Sequence, residues 1–208
     1  MLLWSVGASA QVPGDSTQAE RLLQQLREFP AALPGIARSD GSRDPVEERR
    51  RAVYLQLREI GKDALPALAA RGLSHPDVQI RRNVALFLSV AAGGWSDLSQ
   101  PKLDIHPCLS SLIEAVADTD ARVRQLAAQA IGAIGSPAAP AVPVLVKLLT
   151  DPDEGSRNSA CIGLTGIGPP ARDALPALRR ALSDPSGDVR RFAQRAIKRI
   201  DVPQGGAA

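Results

Sequence analysis

An aspartate and an arginine that recur at a nearly constant spacing constrain the fold of this chain more than any other feature. Asp118, Asp151 and Asp184 are separated by two equal intervals, and an arginine follows each of them by six residues. The same frame continues toward the N-terminus, first with a longer interval and then with a slightly shorter one. The five arginines of this ladder are Arg50, Arg81, Arg124, Arg157 and Arg190. A period of this length predicts a stack of similar supersecondary units.

Each unit predicts two helices. Apolar residues recur at helical spacing after each arginine and define one buried face of about three turns. A glycine follows this helix in three units and fits its C-terminal cap, as Gly61, Gly135 and Gly168. A second, shorter apolar segment comes next, for example 144–149 or 175–182, and it ends at a new Asp-Pro turn. No strand-like alternation competes with this interpretation.

The string DALPAL occurs twice, at 63–68 and at 173–178. The two copies occupy the same place in units that are three repeats apart, so their recurrence reports the repeat. Asp63 and Asp173 are predicted to be helix N-caps. Pro66 and Pro176 fall in the first turn, where a missing N–H is tolerated.

The repeated motifs resemble HEAT repeats, in particular the short type of the phycobilisome-lyase HEAT-like family. The matching residues are P-x-L in the first helix, D-P/x-x-V-R at the turn, and A-x-x-A-[IL]-x-x-[IL]-G in the second helix. The resemblance covers about residues 15–200. It implies an all-α, right-handed α-solenoid of about five helical hairpins.

The resulting domain prediction is a solenoid over residues 15–202. Its units are expected at about 15–61, 62–93, 105–135, 136–168 and 169–200, with a loop insertion at 92–107. Residues 203–208 are an expected disordered tail. Residues 1–14 are either a disordered tail or the remnant of an export signal, because Ala8-Ser9-Ala10 has the form of a signal-peptidase site. The compartment is therefore cytoplasmic under one alternative and periplasmic or secreted under the other.

The arginine ladder and its aspartates have two interpretations. The arginines could form an anion-binding strip along one edge of the stack. Alternatively, each arginine satisfies carbonyls or the aspartate of a turn in its own or a neighbouring unit. The structural interpretation is favoured, because a binding site seldom needs an identical residue in every repeat.

Positions that differ between units are better candidates for recognition. In a solenoid the second helices usually line the concave surface, where partners bind. The positions expected to be exposed there are Arg51, Tyr54, Arg58, Arg82, Gln125, Gln129, Asn158, Thr165, Arg191, Gln194, Arg195 and Lys198. This strip is basic at both ends and suits an acidic segment of a partner protein. The alternative is solvated helix faces with a polar cap at the C-terminal end.

The insertion between the second and third units contains Trp95, an unusual residue in a loop of glycines, proline and polar side chains. Insertions in repeat arrays often carry binding functions. Trp95 is therefore a further candidate for partner binding. The alternative is that its ring covers the gap between two units.

The sequence predicts no catalytic residue, no cofactor and no metal site. His75 and His106 each precede a proline, belong to no His-Glu pair, and His75 stands where other units have a turn aspartate. Cys108 and Cys161 form no CxxC motif. A Cys108–His106 nucleophile is conceivable, but no third group that would orient the histidine is identified.

Charge and composition restrict the partner. The net charge is +3, and residues 187–200 alone contribute +4, so the remainder of the chain is slightly acidic. That distribution, with only six aromatic residues, argues against a nucleic-acid surface over the whole molecule. No apolar stretch is long enough to predict a membrane span.

The predicted function is a non-catalytic scaffold or adaptor that binds another protein or peptide on its concave face. The resemblance implies one alternative, attachment or detachment of bilins, although few aromatics and histidines are available for a tetrapyrrole pocket. A DNA-binding role, as in HEAT-like glycosylases, is a weaker alternative because the strip is basic only at its ends.

Overall fold

The computed structural model describes residues 13–28, 45–59, 64–93 and 102–202, and among these the side chains of 13–19, 45–47, 50, 51 and 58 are not described. The described residues form helices and turns without a strand. The α-helices are α1 (Pro13–Leu26), α2 (Pro45–Glu59), α3 (Leu65–Leu73), α4 (Val78–Gly93), α5 (Leu109–Ala115), α6 (Ala121–Ile134), α7 (Val142–Leu148), α8 (Glu154–Ile167), α9 (Leu175–Ala181) and α10 (Gly187–Ile200). Short 3₁₀ helices span His106–Cys108, Ser136–Ala141 and Pro169–Ala174. The all-α prediction is confirmed.

The helices form a stack of pairs. The pairs α3/α4, α5/α6, α7/α8 and α9/α10 each pack together, and α1 contacts both α2 and α4. The second helices of successive pairs, α4, α6, α8 and α10, pack against one another far more extensively than the first helices do. The second helices therefore form the more closely packed layer of the stack.

Small residues allow the closest of these approaches, between α6 and α8. A Cβ atom added to Gly166 would lie 2.1 Å from the carbonyl oxygen of Gly132, and one added to Gly163 would lie 2.8 Å from that of Ala128. Such distances leave no room for a side chain. The abundance of glycine and alanine in the second helices thus follows from backbone-to-backbone packing.

Polar side chains start the second helices. Asp120, Asp153 and Ser186 are in extended conformation, and their side chains accept hydrogen bonds from the backbone N–H three residues later. They satisfy donors that the first turn leaves without an intrahelical partner. These residues lie two positions after the aspartates of the ladder.

Helix ends match the sequence-based prediction. Gly135 and Gly168 cap α6 and α8 with φ of 81° and 74°, a conformation that side chains with a Cβ rarely adopt. Gly61 lies outside the described residues.

The N-cap prediction for DALPAL is wrong at Asp173. The N-cap of α9 is Ala174, which is already helical and receives no side-chain hydrogen bond, while Asp173 is exposed within the preceding 3₁₀ helix. Because that 3₁₀ turn runs directly into α9, no extended residue is present from which a side chain could fold back. Pro176 does lie in the first turn, as predicted. The N-cap prediction also fails for Asp63, which lies outside the described residues, because the N-cap of α3 is Ala64, which is helical and receives no side-chain hydrogen bond.

The insertion before α5 is described only after residue 101. The backbone N–H of Leu103 donates to the carbonyl of Ala91 at 3.0 Å, and the side chain of Ile105 is buried in the core. This end of the insertion is therefore attached to α4. Trp95 lies outside the described residues.

Candidate partner-binding surface

The arginine ladder joins successive units through charged hydrogen bonds. Arg81 donates from Nε and Nη2 to the two carboxylate oxygens of Asp118 at 2.8 and 3.1 Å. Arg157 repeats this arrangement with Asp184 at 2.8 and 3.0 Å. Arg124 donates to Asp151 from Nη2 alone at 2.8 Å, and its buried Nε has no hydrogen-bond partner among the described residues. Each of these arginines thus reaches forward to the turn aspartate of the next unit.

The same guanidinium groups also fasten their own turns. Arg157 Nη1 donates to the carbonyls of Asp151 and Pro152 at 3.0 and 3.2 Å, and Arg81 and Arg124 contact their own turns in the same way. The side chains of the three ion pairs are only 9 to 14% exposed. The hydrogen bonds from Arg157 hold the pKa of Asp184 below its usual value, against the opposing effect of burial. These groups are occupied in holding the stack together.

The ladder aspartates also close their own turns, and this role explains why a histidine, His75, can occupy the same position in another unit. Asp118, Asp151 and Asp184 each accept a hydrogen bond at 2.8 to 2.9 Å from the backbone N–H two residues later. At the corresponding position, His75 accepts through Nδ1 from the N–H of Asp77 at 3.0 Å. The imidazole nitrogen therefore replaces a carboxylate oxygen in closing the turn.

Three of the predicted partner-binding residues are instead bonded across the junctions between units. Arg82 donates to Asp120 at 3.0 and 2.6 Å, and this contact is the main reason that the pKa of Asp120 is lowered. Gln125 donates to Asp153 at 2.9 Å. Gln129 donates to the Ser159 hydroxyl at 3.2 Å.

Sequence reasoning missed this second row of junction contacts. The acceptors Asp120 and Asp153 are the N-caps of second helices. They are separated by the same interval as Asp118 and Asp151, and this shared period is the signal that could have found them.

Three other predicted positions are not free recognition groups. Tyr54 is predicted to be exposed, but its side chain is buried, its ring centroid lies 5.2 Å from that of Phe87, and its hydroxyl donates to the carbonyl of Asn83 at 3.4 Å. This prediction is wrong because this side of α2 faces α4. Thr165 donates to the carbonyl of Cys161 within α8 at 2.7 Å. Asn158 is half-buried, and its Oδ1, which has no hydrogen-bond partner among the described residues, is itself buried and therefore not accessible to a partner protein.

The remaining N-terminal candidates carry no side-chain description. Arg50, Arg51 and Arg58 belong to α2, and their side chains are among those outside the description.

The exposed candidates all lie on α10. Arg191, Gln194, Arg195 and Lys198 are exposed, and among them only Arg191 has a charged partner in the described part of the chain, Asp188 at 2.9 Å. The Arg191 guanidinium also lies 5.2 Å from the centroid of the Phe192 ring. Gln194, Arg195 and Lys198 make no hydrogen bond or ion pair with any described residue.

Position in the stack explains this exposure. The residue four after the ladder arginine is Ala85 in α4, Ala128 in α6 and Cys161 in α8, and each is fully buried by the next second helix. On α10 this position is Gln194, against which no described helix packs. Together, Arg191, Gln194, Arg195 and Lys198 form the α10 basic face.

Nucleophile and metal chemistry find no support in the described residues. Burial raises the pKa of both Cys108 and Cys161 to about 12, so these thiols stay protonated near neutral pH. His106 is exposed, whereas the neighbouring Cys108 is fully buried. No group of three or more potential metal ligands occurs among the residues that the structure describes. The described helices also include none with the length and apolarity needed to cross a bilayer.

Comparison with known proteins identifies the repeat type. A family model described as HEAT repeats matches residues 105–161 and 142–207. No curated protein sequence matches the chain.

Solved structures show the same architecture at low sequence identity. An engineered protein is 23% identical, with a TM-score of 0.55, over 91% of this chain and 92% of its own. One chain of the complex of CpcE and CpcF of phycocyanin lyase from Nostoc sp. PCC7120 is 17% identical, with a TM-score of 0.61, over 87% of this chain and 98% of its own. A designed armadillo repeat protein in complex with the peptide (KR)4 is 18% identical, with a TM-score of 0.57, over 92% of this chain and 100% of its own. These similarities show an armadillo/HEAT-type solenoid fold.

Proposed function

We propose that this chain, a HEAT-repeat protein, is a non-catalytic scaffold that binds an acidic segment of another protein on the α10 basic face. One observation carries the proposal. Along α4 and α6 the variable polar side chains Arg82, Gln125 and Gln129 are bonded to the next unit, whereas Gln194, Arg195 and Lys198 have no partner among the described residues. Donors without a partner are available for recognition.

Electrostatics supports an acidic partner. Three of the four residues of the face are cationic, and residues 187–200 carry +4 in a chain whose net charge is +3. Charges of one sign on a surface steer oppositely charged segments toward it and exclude like-charged ones. The local charge therefore favours a partner that is rich in aspartate and glutamate.

A scaffold role also agrees with the architecture. Solenoids expose extended surfaces, and the designed armadillo protein described above was solved with a bound peptide. The likeness to phycocyanin lyase concerns the fold alone. In this chain two of the few aromatic rings, Tyr54 and Phe87, are buried against each other and do not line an open site.

The decisive experiment reverses the charge of the face. Wild-type protein and the variant Arg191→Glu/Arg195→Glu/Lys198→Glu are immobilised and compared for proteins retained from an extract of the native organism. A control variant, Lys102→Glu/Lys147→Glu/Arg180→Glu, has the same net charge change at three exposed positions away from the face. Partners retained by wild type and control but lost by the α10 variant support the proposal. An unchanged set of partners on the α10 variant contradicts it.

A further inference from the structure

Arg190 holds its guanidinium in the orientation that the rest of the ladder uses for binding carboxylates. Its Nη1 donates to the carbonyls of Asp184 and Pro185 at 2.7 and 2.9 Å, as Nη1 of Arg157 does in its own turn. In Arg81 and Arg157 this contact leaves Nε and Nη2 directed at the next aspartate. For Arg190 no carboxylate among the described residues fills that position.

An apolar residue beside the same turn is also uncovered. Val116 and Leu149, two residues before Asp118 and Asp151, are 4 and 5% exposed. Leu182, at the corresponding place before Asp184, is 41% exposed. The turn that Arg190 fastens therefore presents both a prearranged cation and an open apolar contact.

The side chains on this side of α10 differ from those at the close contact points between the other second helices. At the close contact points of the stack the second helices carry Ala85, Ala128 and Cys161, whereas α10 carries the longer Gln194. One turn later, Gly132 of α6 corresponds to Lys198. These longer polar side chains keep a following helix from approaching α10 as α8 approaches α6.

A second copy of the chain is also excluded as an occupant through the same face. Two α10 surfaces facing each other would bring together Arg190, Arg191, Arg195 and Lys198 from both copies. Like charges placed in contact are unfavourable. The complementary occupant is an acidic segment.

We propose that Arg190 anchors the partner by binding an aspartate in a turn at the start of a partner helix, with Leu182 contacting the residues before that aspartate. This inference rests on the proposed function and names the partner's chemistry. Aspartate is specified because, in the described part of this chain, every carboxylate that a ladder arginine binds belongs to an aspartate in a helix-starting turn. These aspartates are Asp118, Asp151 and Asp184. The open Nε/Nη2 edge matches a planar carboxylate with two parallel hydrogen bonds.

The α10 basic face extends the site beyond this anchor. From Arg190 to Lys198 the helix rises about 12 Å. Acidic residues that follow the anchoring aspartate in the partner would lie along Arg191 and Arg195. Because the guanidinium is already oriented by its own turn, little conformational entropy is lost when the carboxylate binds.

The test uses the full chain and a defined probe. The probe is a fluorescein-labelled peptide of residues 149–160, which contains the turn that Arg124 binds. Two peptide variants remove the same charge, Asp151→Asn at the anchoring position and Glu154→Gln beside it. Fluorescence anisotropy is expected to show at least about fivefold weaker binding for Asp151→Asn and less than twofold for Glu154→Gln.

Two variants of the protein repeat the comparison from the other side. Arg190→Lys keeps the charge but loses the planar fork, and Arg180→Lys, at an exposed position away from the α10 basic face, is its matched control. We expect the probe to bind Arg190→Lys at least about fivefold more weakly and Arg180→Lys almost unchanged. Circular dichroism confirms that both variants fold, and the peptide variants test the anchor without altering the protein.

The outcomes separate this inference from the proposed function. If Asp151→Asn and Arg190→Lys match their controls while the probe still requires Arg195 and Lys198, the anchor is overturned and the acidic-partner function stands. If neither the probe nor octaglutamate binds at about 1 mM, both are overturned. Tighter binding of a single-stranded oligonucleotide than of either peptide also overturns both.

Discussion

The junction between α6 and α8 and the outer face of α10 use equivalent positions of the repeat in opposite ways. At the junction, Ala128 and Gly132 admit the backbone of the next helix, and Arg124 and Gln125 donate to the next turn. On α10 the corresponding positions are Gln194, Lys198, Arg190 and Arg191, all exposed. In this solenoid the same row of side chains makes a junction where a helix follows and is exposed where no following helix is described.

The largest expected difference between the two regions concerns the arginine ladder. Arg157→Gln leaves the carboxylate of Asp184 buried without its cation, so the free energy of unfolding should fall by about 3 kcal/mol. Arg190→Gln removes an exposed side chain without a carboxylate partner among the described residues and should cost about 0.5 kcal/mol. Urea unfolding followed by circular dichroism measures both. Equal losses of unfolding free energy would show that Arg157 and Arg190 contribute equally to stability.

The second largest expected difference is in how much stability is lost when a glycine of each region is replaced by alanine. Gly166→Ala places a methyl group against the backbone of Gly132, and we expect a loss of about 2 kcal/mol as α6 and α8 are forced apart. Gly187→Ala, at the start of α10, adds a methyl group in ordinary contact with Arg190 at 3.6 Å and should be neutral or slightly stabilising. Thermal unfolding of the two variants checks this. A Gly166→Ala protein as stable as wild type would contradict the close approach.

Acid should weaken the closed junctions. The pKa of Asp184 is lowered in the folded protein by Arg157, so its contribution to stability is present above the unfolded pKa of about 3.9 and is lost as the pH falls further. The free energy of unfolding should decline between about pH 5 and pH 2, and less steeply in Asp184→Asn. Urea titrations across this range provide the measurement. An identical slope in the variant would remove Asp184 from the acid response.

The smallest expected contrast involves the polar residues beside the ladder. Gln125→Leu removes the hydrogen bond to Asp153 and should cost about 1 kcal/mol. Gln194→Leu breaks no bond to a described residue and should change stability by less than about 0.5 kcal/mol. Paired denaturant titrations at constant salt are needed to resolve this difference. Equal costs would mean that Gln125 is not bonded across the junction in solution.

The fold could be predicted from the sequence because residues that are buried in one unit recur at the same position in the next. The recurrence of Asp151 and Arg157 in other units and the glycine caps Gly135 and Gly168 follow from local backbone chemistry that repeats. The prediction for Asp173 fails because the 3₁₀ turn before α9 is not visible in the residue pattern.

The candidate surface could be predicted only in part. A helical wheel treats each helix alone, so it places Gln125 and Arg82 in solvent, whereas a neighbouring helix brings Asp153 and Asp120 within hydrogen-bond distance. The prediction for Tyr54 fails for the same reason. Gln194 and Arg195 are exposed as expected, because no described helix packs on that side of α10.

The forward reach of the ladder also determines how such a chain can change in length. In the described repeats, an arginine donates to the following unit and an aspartate accepts from the preceding one. Excision of residues 136–168 as a block would remove Asp151 together with Arg157. Arg124 would then stand 27 residues before Asp184, the separation that it now has from Asp151. Recombination in steps of one whole repeat therefore conserves the ion pair at each junction, whereas a deletion that removes Asp151 but keeps Arg157 leaves Arg124 without its acceptor.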